Sequence, residues 1–129
     1  MRCLDARLQR EFDEELHPEV CARVVALDEW CEDNGLPQVV VTCVLRDTAS
    51  NKAAGGVDNS WHLVAAAVDI RSRHYSPKQL AYVMTWLRAQ CPPDEWELLH
   101  HAVLTGPHIH LAKKDHSWRL TFEKRPAVT

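Results

Sequence analysis

Apolar residues recur at helical spacing in the first quarter of the chain. Four of them lie four residues apart and form one stripe on a helix: Leu4, Leu8, Phe12 and Leu16. This spacing predicts a helix over 4–16. A second helix is predicted from Pro18 to just before Gly35, because proline suits a first helical turn and glycine suits the position past a helix end.

The pattern changes after Pro37. Residues 38–47 (QVVVTCVLRD) are mostly apolar and rich in β-branched side chains, which is typical of a buried strand. Residues 48–59 are small and polar and predict a loop. Residues 60–70 (SWHLVAAAVDI) predict a short helix that starts at Ser60, followed by a strand over 68–70.

One long helix and a strand-rich end complete the pattern. Ser76 and Pro77 predict the start of an amphipathic helix over 76–91. Strands are then predicted over 95–104, 108–114 and 117–125, the first two joined as a hairpin by Thr105-Gly106-Pro107. Helices followed by a sheet with one inserted helix predict an α+β fold with an antiparallel sheet, in a single domain over 1–129.

The composition narrows the classes of partner. A formal net charge of −3 gives no electrostatic reason to expect nucleic acid or an anionic membrane as a partner. No apolar run approaches the roughly 18–20 residues that span a bilayer, and the first 20 residues lack the apolar segment of a secretory signal. We therefore expect the protein to be cytoplasmic on synthesis, with virion association or release at lysis left open. We also expect it to be a monomer.

Cysteine and histidine usage indicates where chemistry lies. The five cysteines are an odd number with no C-x-x-C pair, which favours reduced thiols over a disulfide framework. Four of the eight histidines fall within residues 100–110. Among them, His108 and His110 are two apart on a predicted strand and so share a face. Together with His62 and Asp69 they offer the imidazole and carboxylate donors that a catalytic zinc ion takes.

One stretch carries a family resemblance. The spacing of Ser60, His62, Ala65, Ala67 and Asp69 resembles the S-x-H-x-x-G-x-A-x-D signature of the zinc D-alanyl-D-alanine carboxypeptidases and the related murein endopeptidases, a group with many short phage-encoded homologues. The resemblance implies a hedgehog/DD-peptidase-like fold. It also implies zinc-dependent hydrolysis of peptidoglycan stem peptides that contain D-amino acids, with carboxypeptidase and endopeptidase activity both open.

The resemblance also implies a role for each matching residue. His62, Asp69 and His110 would bind zinc, and His108 would stand beside the metal as the catalytic acid–base group. Arg46 would contact a carboxylate of the substrate, since its planar guanidinium can hold that group with two hydrogen bonds. Ser60 would hydrogen-bond near the ligand or the substrate.

The chain departs from the family pattern at two positions. Ala65 replaces the usual glycine, a change that costs little if the backbone there has a negative φ. Pro107 stands where most of the family has the acidic general base, and proline cannot serve. His100, His101 and Glu97 are further candidates on the neighbouring strand, but Glu97 and His100 cannot face the metal together on a regular strand.

Two other functions fit parts of the sequence. His108-Ile109-His110 also resembles the metal-binding element of HUH-type nucleases, which need a tyrosine nucleophile, and Tyr75 followed by Lys78 matches their Y-x-x-K pattern. Magnesium or manganese would then replace zinc. The missing acidic base also leaves open a non-catalytic, metal-binding structural protein of phage assembly.

Overall fold

The computed structural model describes residues 1–46, 60–103 and 106–118. None of the helices in these ranges combines the length and the apolar character that a membrane crossing requires. The predicted loop over 48–59 lies outside the described residues, as does the predicted strand beyond Trp118. All five cysteines carry free thiols, as predicted.

Both predicted N-terminal helices are present. The first comprises α1 (Ala6–Arg10) and a π-helical turn over Glu11–Glu15. It starts later than predicted because the Asp5 carboxylate accepts a hydrogen bond from the Leu8 backbone N–H and so caps the helix there. Helix α2 (Pro18–Asp33) follows and is capped by the His17 side chain.

The remaining elements form one five-stranded sheet with a long helix inserted. They are β1 (Arg2–Cys3), β2 (Val40–Cys43), a 3₁₀ turn (Trp61–Val64), β3 (Ala67–Arg71), α3 (Pro77–Gln90), β4 (Trp96–Val103) and β5 (Gly106–Lys113). The strand order is β1-β2-β3-β5-β4. Strands β2 to β5 pair antiparallel, as predicted, and the short β1 adds a parallel edge that the sequence analysis did not include. The α+β prediction is confirmed.

The strands depart most clearly from the predicted ones at three places. Strand β2 covers only the centre of the predicted 38–47. Strand β5 starts at Gly106, so Pro107 pairs with Ala102 inside the strand rather than forming the hairpin turn. Trp118 lies in a turn rather than a strand, because its indole N–H donates to the Val64 carbonyl at 2.7 Å.

One face of the sheet packs against the hydrophobic core, and the other carries the polar side chains of the candidate site. Side chains of Val68 and Ile70 on β3, and of Ile109 and Leu111 on β5, join the helices in the main hydrophobic core. The alternating residues point the other way, because successive strand side chains lie on opposite faces. That second face carries Asp69, His108 and His110, so the candidate site lies on the side of the sheet opposite the main hydrophobic core.

Candidate functional site

A short irregular segment brings His62 towards the sheet. The Ser60 hydroxyl accepts a hydrogen bond from the His62 backbone N–H at 3.2 Å and caps the 3₁₀ turn. The chain then reverses at Ala65 and enters β3, which carries Asp69. The predicted short helix followed by a strand is therefore correct, and the contact of Ser60 is with the backbone that positions His62.

The reversal depends on an unusual backbone conformation at Ala65. This residue has φ +55° and ψ +37° in the left-handed region, where a side chain costs about 1–2 kcal/mol. The condition under which the change from glycine costs little, a negative φ, is therefore not met. Its methyl group is fully buried in the core, and that burial offsets part of the strain.

Strand register brings the two histidines of β5 to Asp69. His110 pairs directly with Asp69, and His108 pairs with Arg71 two residues further along β3. Directly opposed residues of an antiparallel pair share a face, so both imidazoles lie beside the carboxylate. All four side chains, His62, Asp69, His108 and His110, are buried.

Three donor atoms converge at the centre of this group. Asp69 Oδ1 lies 2.9 Å from His62 Nε2 and 3.4 Å from His110 Nδ1, and the two ring nitrogens are 3.3 Å apart. On the far side of each ring, His62 Nδ1–H donates to the Val44 carbonyl at 2.8 Å and His110 Nε2–H donates to Glu97 at 2.7 Å. With those protons placed, His62 Nε2 and His110 Nδ1 are the nitrogens that face Asp69 Oδ1, so a cation shared by the three atoms, either a proton or a metal ion, stabilises the arrangement.

The pKa values in the group reflect the same need for positive charge. Burial alone would lower the pKa of His62, but the Asp69 carboxylate outweighs burial and raises that pKa well above its ordinary value. Burial would raise the pKa of Asp69, but His62 and its neighbours hold it well below the usual range. The metal-free site therefore holds a negative Asp69 carboxylate beside a protonated His62, and a metal ion that binds there would have to displace the Nε2 proton of His62.

The neighbouring strand β4 supplies Glu97 to the site and turns His100 away. The side chain of Glu97 is 37% exposed and hydrogen-bonds His110. On the same strand, the centroid of the His101 ring lies 4.5 Å from the centroid of the His108 ring. His100 instead bonds the Ser72 hydroxyl at 2.9 Å on the opposite face. Strand alternation predicted that only one of Glu97 and His100 can face the metal site. The pairing of β4 with β5 places Glu97 there.

Cys43 is a site neighbour that the sequence analysis missed. Its Sγ lies 3.8 Å from His62 Nδ1, and Cys43, His62 and Asp69 each offer a ligand atom within 4.8 Å of the others. Burial raises the pKa of the Cys43 thiol, but His62 and Arg46 outweigh this and lower it overall. No short motif marks Cys43, because it reaches the site only through the pairing of β2 with β3.

Arg46 and His108 flank Asp69. Arg46 Nη2 donates to Asp69 Oδ2 at 3.0 Å, so the site carboxylate is one of its partners. His108 donates from Nδ1 to the Gly106 carbonyl at 2.9 Å, and its Nε2 lies 3.7 Å from the same Asp69 oxygen. That tautomer leaves Nε2 as a proton acceptor beside the site. Arg46, Asp69 and His108 all line a cleft of about 420 Å³ that opens to solvent.

Tyr75, the nucleophile that a nuclease would require, is buried in the main core. Its hydroxyl donates to the Pro37 carbonyl at 3.1 Å and lies 4.0 Å from the Cys31 sulfur. Burial raises the pKa of this hydroxyl far above its ordinary value. Tyr75 therefore has neither the exposure nor the acidity of a phosphate-attacking group.

Comparison with known proteins identifies the family. The sequence pattern of the Peptidase M15 family, whose members are zinc peptidases, matches residues 4–101. The match includes Ser60–Asp69 and ends before His108-Ile109-His110, which joins the site through strand pairing. No curated protein and no solved structure gave a significant match. With about three quarters of its length matched, the chain belongs to the Peptidase M15 family.

Proposed function

We propose that this protein is a zinc-dependent peptidase whose metal is held by His62 Nε2, Asp69 Oδ1 and His110 Nδ1. The observation that carries the proposal is the convergence of these three potential ligand atoms. Their separations of 2.9–3.4 Å are close to the edge of about 3.3–3.4 Å of a tetrahedron with zinc–ligand bonds of ~2.0–2.1 Å. Two imidazoles and one carboxylate leave a fourth position for water or substrate.

The alternative ligand set with Cys43 fits less well. The Cys43 sulfur lies near His62 Nδ1, which already donates to the Val44 carbonyl. The lone pair of His62 is therefore on Nε2, the nitrogen that faces Asp69 and His110. A zinc ion shared by the Cys43 sulfur and His62 Nδ1 would need the ring to break its hydrogen bond to Val44, whereas His110 faces His62 Nε2 without any rearrangement.

The proposed reaction is hydrolysis of a peptide bond. Bound zinc would lower the pKa of a water ligand towards ~7 and polarise the scissile carbonyl. The proton of His108 is on Nδ1, so its Nε2 would accept a proton from the attacking water and later pass it to the leaving amine. Arg46 would hold Asp69 in place and present its guanidinium to a substrate carboxylate across the cleft.

The proposed substrate class is the peptidoglycan stem peptide, or a related peptide with D-amino acids. This part of the proposal is supported by the resemblance of Ser60–Asp69 to the signature of the murein peptidases. The assay incubates zinc-loaded protein with peptides that contain D-alanine and follows products by mass spectrometry. Cleavage is expected, and it should disappear in His62→Ala and in a chelator. Retained zinc without cleavage of any such peptide would favour the non-catalytic alternative.

Glu97 is expected to tune zinc affinity through His110. The Glu97 carboxylate accepts the Nε2–H of His110 and so keeps Nδ1 deprotonated and aimed at the other ligands. Glu97→Ala should weaken zinc binding by about 10–100-fold in a chelator competition. Glu97→Gln, which keeps an acceptor oxygen, should weaken it less. Glu14→Ala, an exposed carboxylate on the π-helical turn, is the matched control. Unchanged affinity in Glu97→Ala would remove Glu97 from the site.

A further inference from the structure

The cleft beside Asp69 contains an unusual concentration of arginine. Four arginines line it, Arg7, Arg46, Arg71 and Arg73. Asp69 is the one carboxylate among its described lining residues. The chain as a whole carries a net charge of −3, so this positive charge is local rather than a consequence of a basic protein. Like charges held together in a concave surface attract an anionic ligand.

Two of these arginines have no charged partner within the described ranges. Arg46 is engaged with Asp69, and Arg7 lies 3.6 Å from Glu11. Arg71, which is half-buried, and Arg73, which is exposed, form no ion pair with any described residue. Arginines that line a cleft and have no ion pair with a described residue are available to carboxylates of a ligand.

The position of Arg71 on β3 sets its distance from Asp69 and so from the proposed metal site. It lies two residues after Asp69 on β3 and pairs with His108 on β5, so it shares the site face. Two residues of a strand span about 6.6–6.8 Å. An extended peptide advances by a similar length, so a ligand lying along β3 with its reacting bond at Asp69 brings a group about two residues away to Arg71.

We infer that Arg71 and Arg73 bind a second anionic group of the substrate, a carboxylate about two residues from the scissile bond. This inference rests on the proposed peptidase function for the position of that bond. The protein would then select acidic peptides over neutral peptides of the same length. Arg71 and Arg73 would determine which substrate is bound rather than bind the metal, because neither supplies one of the three proposed zinc ligands.

The test measures equilibrium binding, so that it does not depend on turnover. Two fluorescent peptides differ only in carrying glutamate or glutamine two residues from a D-alanine. The zinc-loaded protein should bind the glutamate peptide about tenfold or more tightly, since hydrogen bonds to charged groups are the stronger ones. The Arg71→Gln/Arg73→Gln double variant should lose that preference and leave the glutamine peptide unaffected.

A matched double variant, Arg10→Gln/Arg88→Gln, removes two exposed arginines that do not line the cleft, and it should keep the preference. Equal binding of the two peptides, or an unchanged preference in Arg71→Gln/Arg73→Gln, would overturn the inference. Preferential binding without cleavage would count against the peptidase function and still support the anionic subsite. Cleavage without a preference for the glutamate peptide would support the peptidase function and count against the anionic subsite.

Discussion

Replacing Asp69 with alanine is expected to abolish zinc binding and to destabilise the metal-free protein by about 3 kcal/mol. Asp69 is buried and contacts His62, Arg46 and His110, so its removal breaks a buried ion pair with Arg46 as well as its contacts to both histidines. The cost should fall at the lower end of the range of about 3–5 kcal/mol for a broken buried ion pair, because His62 can lose its proton.

Urea unfolding in the presence of a chelator measures the stability effect of Asp69→Ala, and competition with a chromophoric chelator measures zinc binding. Asp33→Ala is the control, since Asp33 is exposed on the last turn of α2, and it should change the free energy of unfolding by less than about 0.5 kcal/mol. Native zinc affinity in Asp69→Ala would contradict the proposed ligand set.

Replacing His108 with glutamine is expected to lower kcat by about 10²–10⁴-fold while zinc affinity is retained. Its Nε2 lies 3.7 Å from Asp69 Oδ2 and its Nδ1 proton is held by the Gly106 carbonyl, so it can take up a proton without binding the metal. Glutamine keeps a similar size but cannot act as an acid or base near neutral pH. Peptide cleavage by the zinc-loaded variant measures the effect.

His100→Gln is the matched control for His108→Gln, because His100 lies on the other face of β4 and bonds Ser72. It should retain native kcat. If His108→Gln retains native kcat with zinc bound, proton transfer would have to be reassigned to another site group, with Glu97 and His101 the nearest candidates on β4.

Local sequence signals account for the helices and part of the site. Ser76 and Gln79 form a reciprocal cap at the start of α3, and the helix lies where the sequence predicted it. The fixed spacing from Ser60 to Asp69 is short enough to be recognised in sequence. The shared face of His108 and His110 follows from strand alternation alone.

Long-range pairing accounts for what the sequence did not reveal. The pairing of β2 with β3 brings Cys43 into the site, and the pairing of β4 with β5 decides between the two sequence candidates Glu97 and His100; sequence spacing does not encode that register. The positive φ of Ala65 was hidden because alanine rarely adopts it. Pro107 appeared to mark a turn, yet it lies within β5, where it pairs with Ala102.

Zinc affinity in His110→Ala and in Cys43→Ser tests the ligand set most directly. Competition with a chromophoric chelator measures both variants, after circular dichroism has verified that each is folded. His110→Ala should weaken zinc binding by more than the roughly 10–100-fold expected for a group that only hydrogen-bonds a ligand, and Cys43→Ser should bind zinc with native affinity. Loss of zinc in Cys43→Ser with native affinity in His110→Ala would contradict the account.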